Sequence, residues 1–275
     1  MAAGLSPVVS DLEINRLFTV IESKRVEVKI GKDERSCHIY GITVLPKGDI
    51  ILINSGIGKL KLLSTNYKVV DHVRVPEMPL GICAVSDNQV AVCTSGKKIL
   101  FFDVEDSKLL KMEREIELTH DCNHVSYMAR HLIISSDDTV YQYTLAGQRV
   151  REIFTTDGWG LYGIAVSPSR LYITNYKENK LITVDMQGEV LATLIDKDLD
   201  RPTDVCVSPS GQVFVCGYIS NTILQVDSQG KQKLATLANK KNDVSCPQSM
   251  YFNSRTASLF VGQNNTDDLL VLQLK

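Results

Sequence analysis

A chain of 275 residues with a formal charge of −2, 44% hydrophobic and 23% charged residues has the make-up of a globular protein able to bury a sizeable core. Near-zero net charge argues against a DNA-binding protein, and no DNA partner is expected. The absence of any run of about eighteen apolar residues leaves no candidate membrane-crossing helix.

The opening Met1-Ala-Ala-Gly-Leu-Ser-Pro has neither a basic stretch nor a long apolar one, so no secretory leader is expected and a cytoplasmic location is. Over residues 11–24, Leu12, Ile14, Leu17, Phe18, Val20 and Ile21 lie among charged residues. The segment 1–24 is read as a linker or a short amphipathic helix, packed against the rest of the chain. Residues 25–30, Arg-Val-Glu-Val-Lys-Ile, alternate polar and apolar at the period of a half-buried strand.

From there a unit of about forty residues recurs. Gly163-Ile-Ala-Val-Ser-Pro-Ser matches Asp204-Val-Cys-Val-Ser-Pro-Ser. Asp185-Met-Gln-Gly and Asp227-Ser-Gln-Gly are each followed by Leu-Ala-Thr-Leu, at 191–194 and 234–237. First strands are predicted to open near Gly41, Gly81, Val125-Ser126, Gly163, Asp204 and Ser249. Second strands follow at 50–53, 90–93, 132–134, 171–174, 213–216 and 259–261. Third strands follow at 60–63, 99–102, 140–143, 181–184, 223–226 and 269–272. Each run is strand-length, rich in β-branched and aromatic residues, and bounded by turn formers.

Four-stranded units repeated around an axis make an all-β fold, a six-bladed β-propeller over 25–275. The sixth unit has only three strands, so the 25–30 strand is expected to complete the last blade and close the ring, leaving no long open sheet edge. Cys83 and Cys206 hold equivalent repeat positions, as do Cys93 and Cys216. With seven cysteines in all, this predicts small core thiols rather than a disulfide framework.

The candidate functional residues fall in loops. Trp159 stands between Gly158 and Gly160 in the linker before the fourth unit. Tyr176 and Tyr218 follow second strands, and Arg201 precedes the fifth unit. Trp, Tyr and Arg dominate many interfaces, so these four are the candidate binding patch for a protein or peptide partner, unless Trp159 plugs the gap between two blades. Lys59, Lys97, Lys98, Lys177 and Lys180 form a candidate basic face, mixed with Asp137, Asp138, Glu178, Asp267 and Asp268. His120, Cys122 and His124 would share one face of an extended segment, as metal ligands must, but no fourth ligand lies nearby. Neither a metal nor another cofactor is expected.

The lines Cys37-His-Ile-Tyr-Gly-Ile-Thr-Val-Leu-Pro-Lys-Gly-Asp, continuing to Leu63, and Arg201-Pro-Thr-Asp-Val-Cys-Val-Ser-Pro-Ser-Gly-Gln-Val-Phe-Val resemble blades of NHL-type propellers. The version most resembled closes the C-terminus of tripartite-motif (TRIM) proteins of the invertebrate type. The resemblance implies a non-catalytic module that selects targets in the ubiquitin pathway. The zinc-bearing RING and B-box parts of such proteins have no counterpart here, since the chain contains no C-x-x-C pair. Some NHL propellers bind single-stranded RNA, which makes RNA the alternative partner and the five lysines its site. A second alternative is resemblance to six-bladed, calcium-dependent lactonases or esterases, with oxygen ligands drawn from Asn54, Asn175 and Asp204. Asp204 otherwise reads as a blade-opening residue, and the two asparagines as turn formers.

Overall fold

The computed structural model describes residues 16–31, 33 and 35–275, without the side chain of Glu113. The described residues form six four-stranded antiparallel sheets, each in simple meander order. In five of them the strands are consecutive, from Ile39–Val44 innermost to Val69–Arg74 outermost in blade one. In blade six the strands Pro247–Asn253, Ser258–Gln263 and Asp268–Leu274 are completed on the outside by Val20–Glu27. The inner strand of each blade packs on that of the next, and Ile39–Val44 of blade one meets Pro247–Asn253 of blade six. The structure is the expected six-bladed propeller, closed by the N-terminal strand.

The closing strand starts earlier than the sequence indicated. It runs from Val20, pairing Val20 with Leu274 and Glu27 with Asp268. The part of the expected helix at 20–24 is therefore strand, because the open edge of Asp268–Leu274 offers those residues a ladder of hydrogen bonds that a lone turn of helix cannot match. Just before it, Phe18 lies between Phe214 and Phe252, with centroids 5.8 and 5.9 Å away. Leu12 and Ile14 lie outside the described residues. No helix among the described residues is long and apolar enough to cross a membrane.

Period-two alternation explains how the ring holds together. In the second strand of blade one, Ile51 and Ile53 point toward blade two while Ile50 and Leu52 point toward blade six. Both faces of a middle strand are thus buried, which is why these runs read as continuously apolar. The outcome is one apolar cluster at each of the six blade interfaces. Hydroxyls add a second link between neighbouring blades. Ser126 Oγ donates to the Ile164 carbonyl at 2.8 Å, Thr203 Oγ1 to that of Pro247 at 2.9 Å, and Ser249 Oγ to that of Ile39 at 3.0 Å. All seven cysteines carry free thiols; Cys93 and Cys216 are fully buried, and burial pushes the Cys216 thiol up to about 12.

Candidate functional site

Two cavities lie on the axis, one at each end of the inner strands. The first, a cup of about 370 Å³, opens where those strands begin. Its walls include Tyr40, Tyr162, Tyr176, Tyr218, Trp159 and Arg201, so the structure brings together the four residues singled out from sequence as a binding patch. Trp159 is 53% exposed and does not plug a blade interface. Its loop is nonetheless pinned on both sides: Gly160 N donates to the Asp137 carbonyl at 2.7 Å, and Tyr176 N to the Gly160 carbonyl at 2.9 Å. Gly160 has φ +119°, and a Cβ there would stand 2.8 Å from Lys177 Cβ, so only glycine lets the two loops meet. Lys177 Nζ then lies 4.1 Å from the Trp159 ring centroid.

Across the cup, the Arg201 guanidinium carbon is 5.6 Å from the Tyr176 ring. Arg201 itself has φ +51°. The Asn179 side chain accepts from its N–H at 2.8 Å, and its carbonyl accepts from Tyr218 N at 3.0 Å. Asn264 Nδ2 donates to the Tyr218 hydroxyl at 3.0 Å, while the buried Asn264 Oδ1 has no partner.

The second cavity, about 310 Å³, follows the same strands toward their far ends, past Thr43, Ser126, Tyr127 and Tyr251. Its wall carries the one contact between a carboxyl and an imidazole among the described residues. His124 Nε2 stands 3.6 Å from Asp204 Oδ1. Asp204 Oδ1 accepts from Val205 N at 2.8 Å and Oδ2 from Met250 N at 2.7 Å, while His124 Nδ1 is buried without a partner. Burial drives both toward their neutral forms. It pushes Asp204 up to about 7, against the pull of its two backbone donors, and His124 down to about 4.

The two residues come from blades three and five, so blade four stands between them. The inner strand of blade three opens at His124, not at Val125-Ser126. That places His124 at the repeat position held by Gly41, Gly81 and Gly163, with Asp204 and Ser249 completing the ring of six. Gly163 is the intervening residue, and a Cβ on it would fall 2.7 Å from Asp204 Cα and from the Thr203 carbonyl oxygen. A side chain at 163 would drive the strands apart just where the imidazole reaches across. Gly163→Ala is expected to cost about 1–3 kcal/mol, the scale of overpacking a tight site. It should also separate the pair; an unaltered thermal melt would show that the close approach is dispensable.

The other candidates go to separate places. His120 stacks on Tyr141 at 3.8 Å and meets the Tyr143 hydroxyl at 2.9 Å, whereas Cys122 is buried between blades two and three. With His124 in the channel, the three do not converge, and among the described residues no group of three or more His, Cys, Asp or Glu is placed to hold a metal. Asn54 Oδ1 accepts from His38 N at 3.1 Å, and Asn175 Oδ1 from Lys177 N and Glu178 N at 3.1 and 2.9 Å. Both oxygens serve turns, on blades one and four. The lysines do not form a basic tract either. Lys59 is buried against Asp33, Lys97 pairs with Asp121, Lys98 with Glu115 and Lys180 with Glu178, while Lys177 caps Trp159.

No protein-family model matches the sequence, and no curated protein matches it. Solved structures match by fold. A streptogramin B lyase is 16% identical with a TM-score of 0.63, over 85% of this chain and 78% of the other. Virginiamycin B lyase from Staphylococcus aureus is 14% identical with a TM-score of 0.64, over 92% of this chain and 99% of the other. At such identities the likeness establishes the propeller and nothing finer. The expectation of a non-catalytic, TRIM-type recognition module is set aside, because both of these propellers bear the names of lyases. The propeller fold is common ground shared with proteins named as lyases.

Proposed function

We propose that this propeller is an acid–base enzyme acting on a small molecule at its axis, of the lyase or ester-cleaving kind. The observation that carries the reading is the His124–Asp204 pair, held in contact across Gly163 on the wall of an axial cavity. A lyase must take a proton from carbon and return one to the leaving group. A neutral imidazole and a protonated carboxyl side by side can do both near neutral pH. In this scheme His124 accepts the proton and Asp204 gives up its own. The proton then passes from His124 to Asp204 over the 3.6 Å gap and restores the starting state. Catalytic hydrogen bonds are commonly long before substrate arrives. The names of the matched solved propellers support the same class of chemistry.

The test is incubation of the purified chain with virginiamycin B and with a panel of cyclic esters, read by mass spectrometry. For a cyclic ester, elimination leaves the mass unchanged and hydrolysis adds one water. Turnover that falls about 10²–10⁴-fold in both His124→Ala and Asp204→Asn, with melting curves still cooperative, is the expected result. Turnover that survives both substitutions, or no product from any substrate, sinks the reading.

A further inference from the structure

We propose that the cup at the opposite mouth is a separate binding site for a small planar anion, an aryl carboxylate, with its ring against Trp159 and its carboxylate at Arg201. Three observations point to this ligand class. The first is shape: a cavity of about 370 Å³ with aromatic walls is of small-molecule size. Its largest ring, Trp159, is half exposed yet fixed by backbone hydrogen bonds on both sides, so stacking on it needs little ordering.

The second is charge. Lys97, Lys98, Lys180 and Lys233 all sit against carboxylates, whereas Lys177 and Arg201 lie over aromatic rings and make no ion pair among the described residues. Asp137 is the sole carboxylate lining the cup, and its Oδ1 already accepts from Asn123 Nδ2 at 2.9 Å; Lys177 and Asp200 both line the adjoining outer cavity. Among the described residues Arg201 is thus the one cation lining the aromatic cup, an arrangement suited to an anion carried on a ring.

The third is the unpartnered Asn264 Oδ1 at the cup wall. A hydroxyl on the far side of the ligand ring would satisfy it. The proposal does not rest on the acid–base reading, because the cup and the His124–Asp204 cavity have no lining residue in common.

Trp159 is the only tryptophan of the chain, so tryptophan fluorescence, selectively excited, reports on the wall of the cup. The full chain would be titrated with 4-hydroxycinnamate, 4-hydroxycinnamyl alcohol and acetate, with calorimetry as a second readout. Saturable binding of the carboxylate, about tenfold or more weaker for the alcohol and for Arg201→Ala, and absent for acetate, is expected from loss of one charged contact or of the ring. Asp204→Asn should bind the carboxylate as the wild type does. Equal binding of alcohol and carboxylate, no effect of Arg201→Ala, or no saturation overturns the proposal. Loss of binding in Asp204→Asn overturns the separation of the two sites.

Discussion

Replacing Asp33 by alanine is expected to remove about 3–5 kcal/mol of stability, the cost of leaving a buried charge without its partner. The Asp33 side chain is wholly buried; Oδ1 accepts from Lys59 Nζ at 2.8 Å and Oδ2 from Lys61 Nζ at 2.5 Å. Lys61 is itself buried and also donates to the Val28 carbonyl at 2.6 Å. The cluster therefore ties the chain leaving the closing strand to the third strand of blade one. Burial alone would raise the Asp33 pKa, but hydrogen bonds from Lys59, Lys61 and Ile30 N together hold it below the ordinary carboxylate range. A carboxyl with a lowered pKa stabilises the fold above its unfolded value and loses that contribution as pH falls through the folded one. Wild type should thus weaken in acid through this site, and Asp33→Asn should be less stable at neutral pH with less acid sensitivity. Denaturant melts across pH decide it. A loss below about 1 kcal/mol for Asp33→Ala, the scale of an exposed pair, would show that both lysines find other partners.

Substitution of either member of the axial pair is expected to uncover a pH dependence that the wild type conceals. Asp204 is at about 7 when folded, against about 3.9 when unfolded. Between those values the folded state binds the extra proton, so this residue makes stability fall as pH rises. His124 is at about 4 when folded, against about 6.5 when unfolded. There the unfolded state binds the extra proton, and stability rises with pH. The two contributions, each on the order of 3 kcal/mol, oppose one another over much of the same window. Asp204→Asn should therefore gain stability from about pH 4 to 6.5, and His124→Ala should lose it from about pH 4 to 7. Flat profiles in both variants would mean that the pair is not desolvated, and would remove the physical basis for its role in proton transfer.

The repeat made the blades legible because Gly, Asp and Ser-Pro-Ser mark turns at fixed offsets, and turns are local. The gathering of Trp159, Tyr176, Tyr218 and Arg201 was legible for a related reason, since linkers and second-to-third loops open on the same end of any propeller. The His124–Asp204 contact was not. It spans a whole blade and leaves no periodic trace, and the apolar run after it drew the predicted start of blade three to Val125. Aligning His124 with Gly81, Gly163 and Asp204 exposes the signal: two titratable side chains at a position otherwise kept small. Likewise, Lys59 reads as a loop lysine until Asp33, in a segment without pattern, turns out to bury it. The early start of the closing strand was hidden because residues 20–24 present mostly exposed side chains, which fit a helix or an edge strand equally well.

The clasp has one more consequence. Thr19 and Lys275 exchange both backbone hydrogen bonds at 3.0 Å, and the rungs run on from there to Glu27 and Asp268. Force applied to the two ends would not load these rungs together; it would open them singly, like a zipper, beginning at the outermost. Resistance to such pulling is set by the barrier to the first opening and not by total stability. The ring is thus mechanically weakest at the seam that closes it.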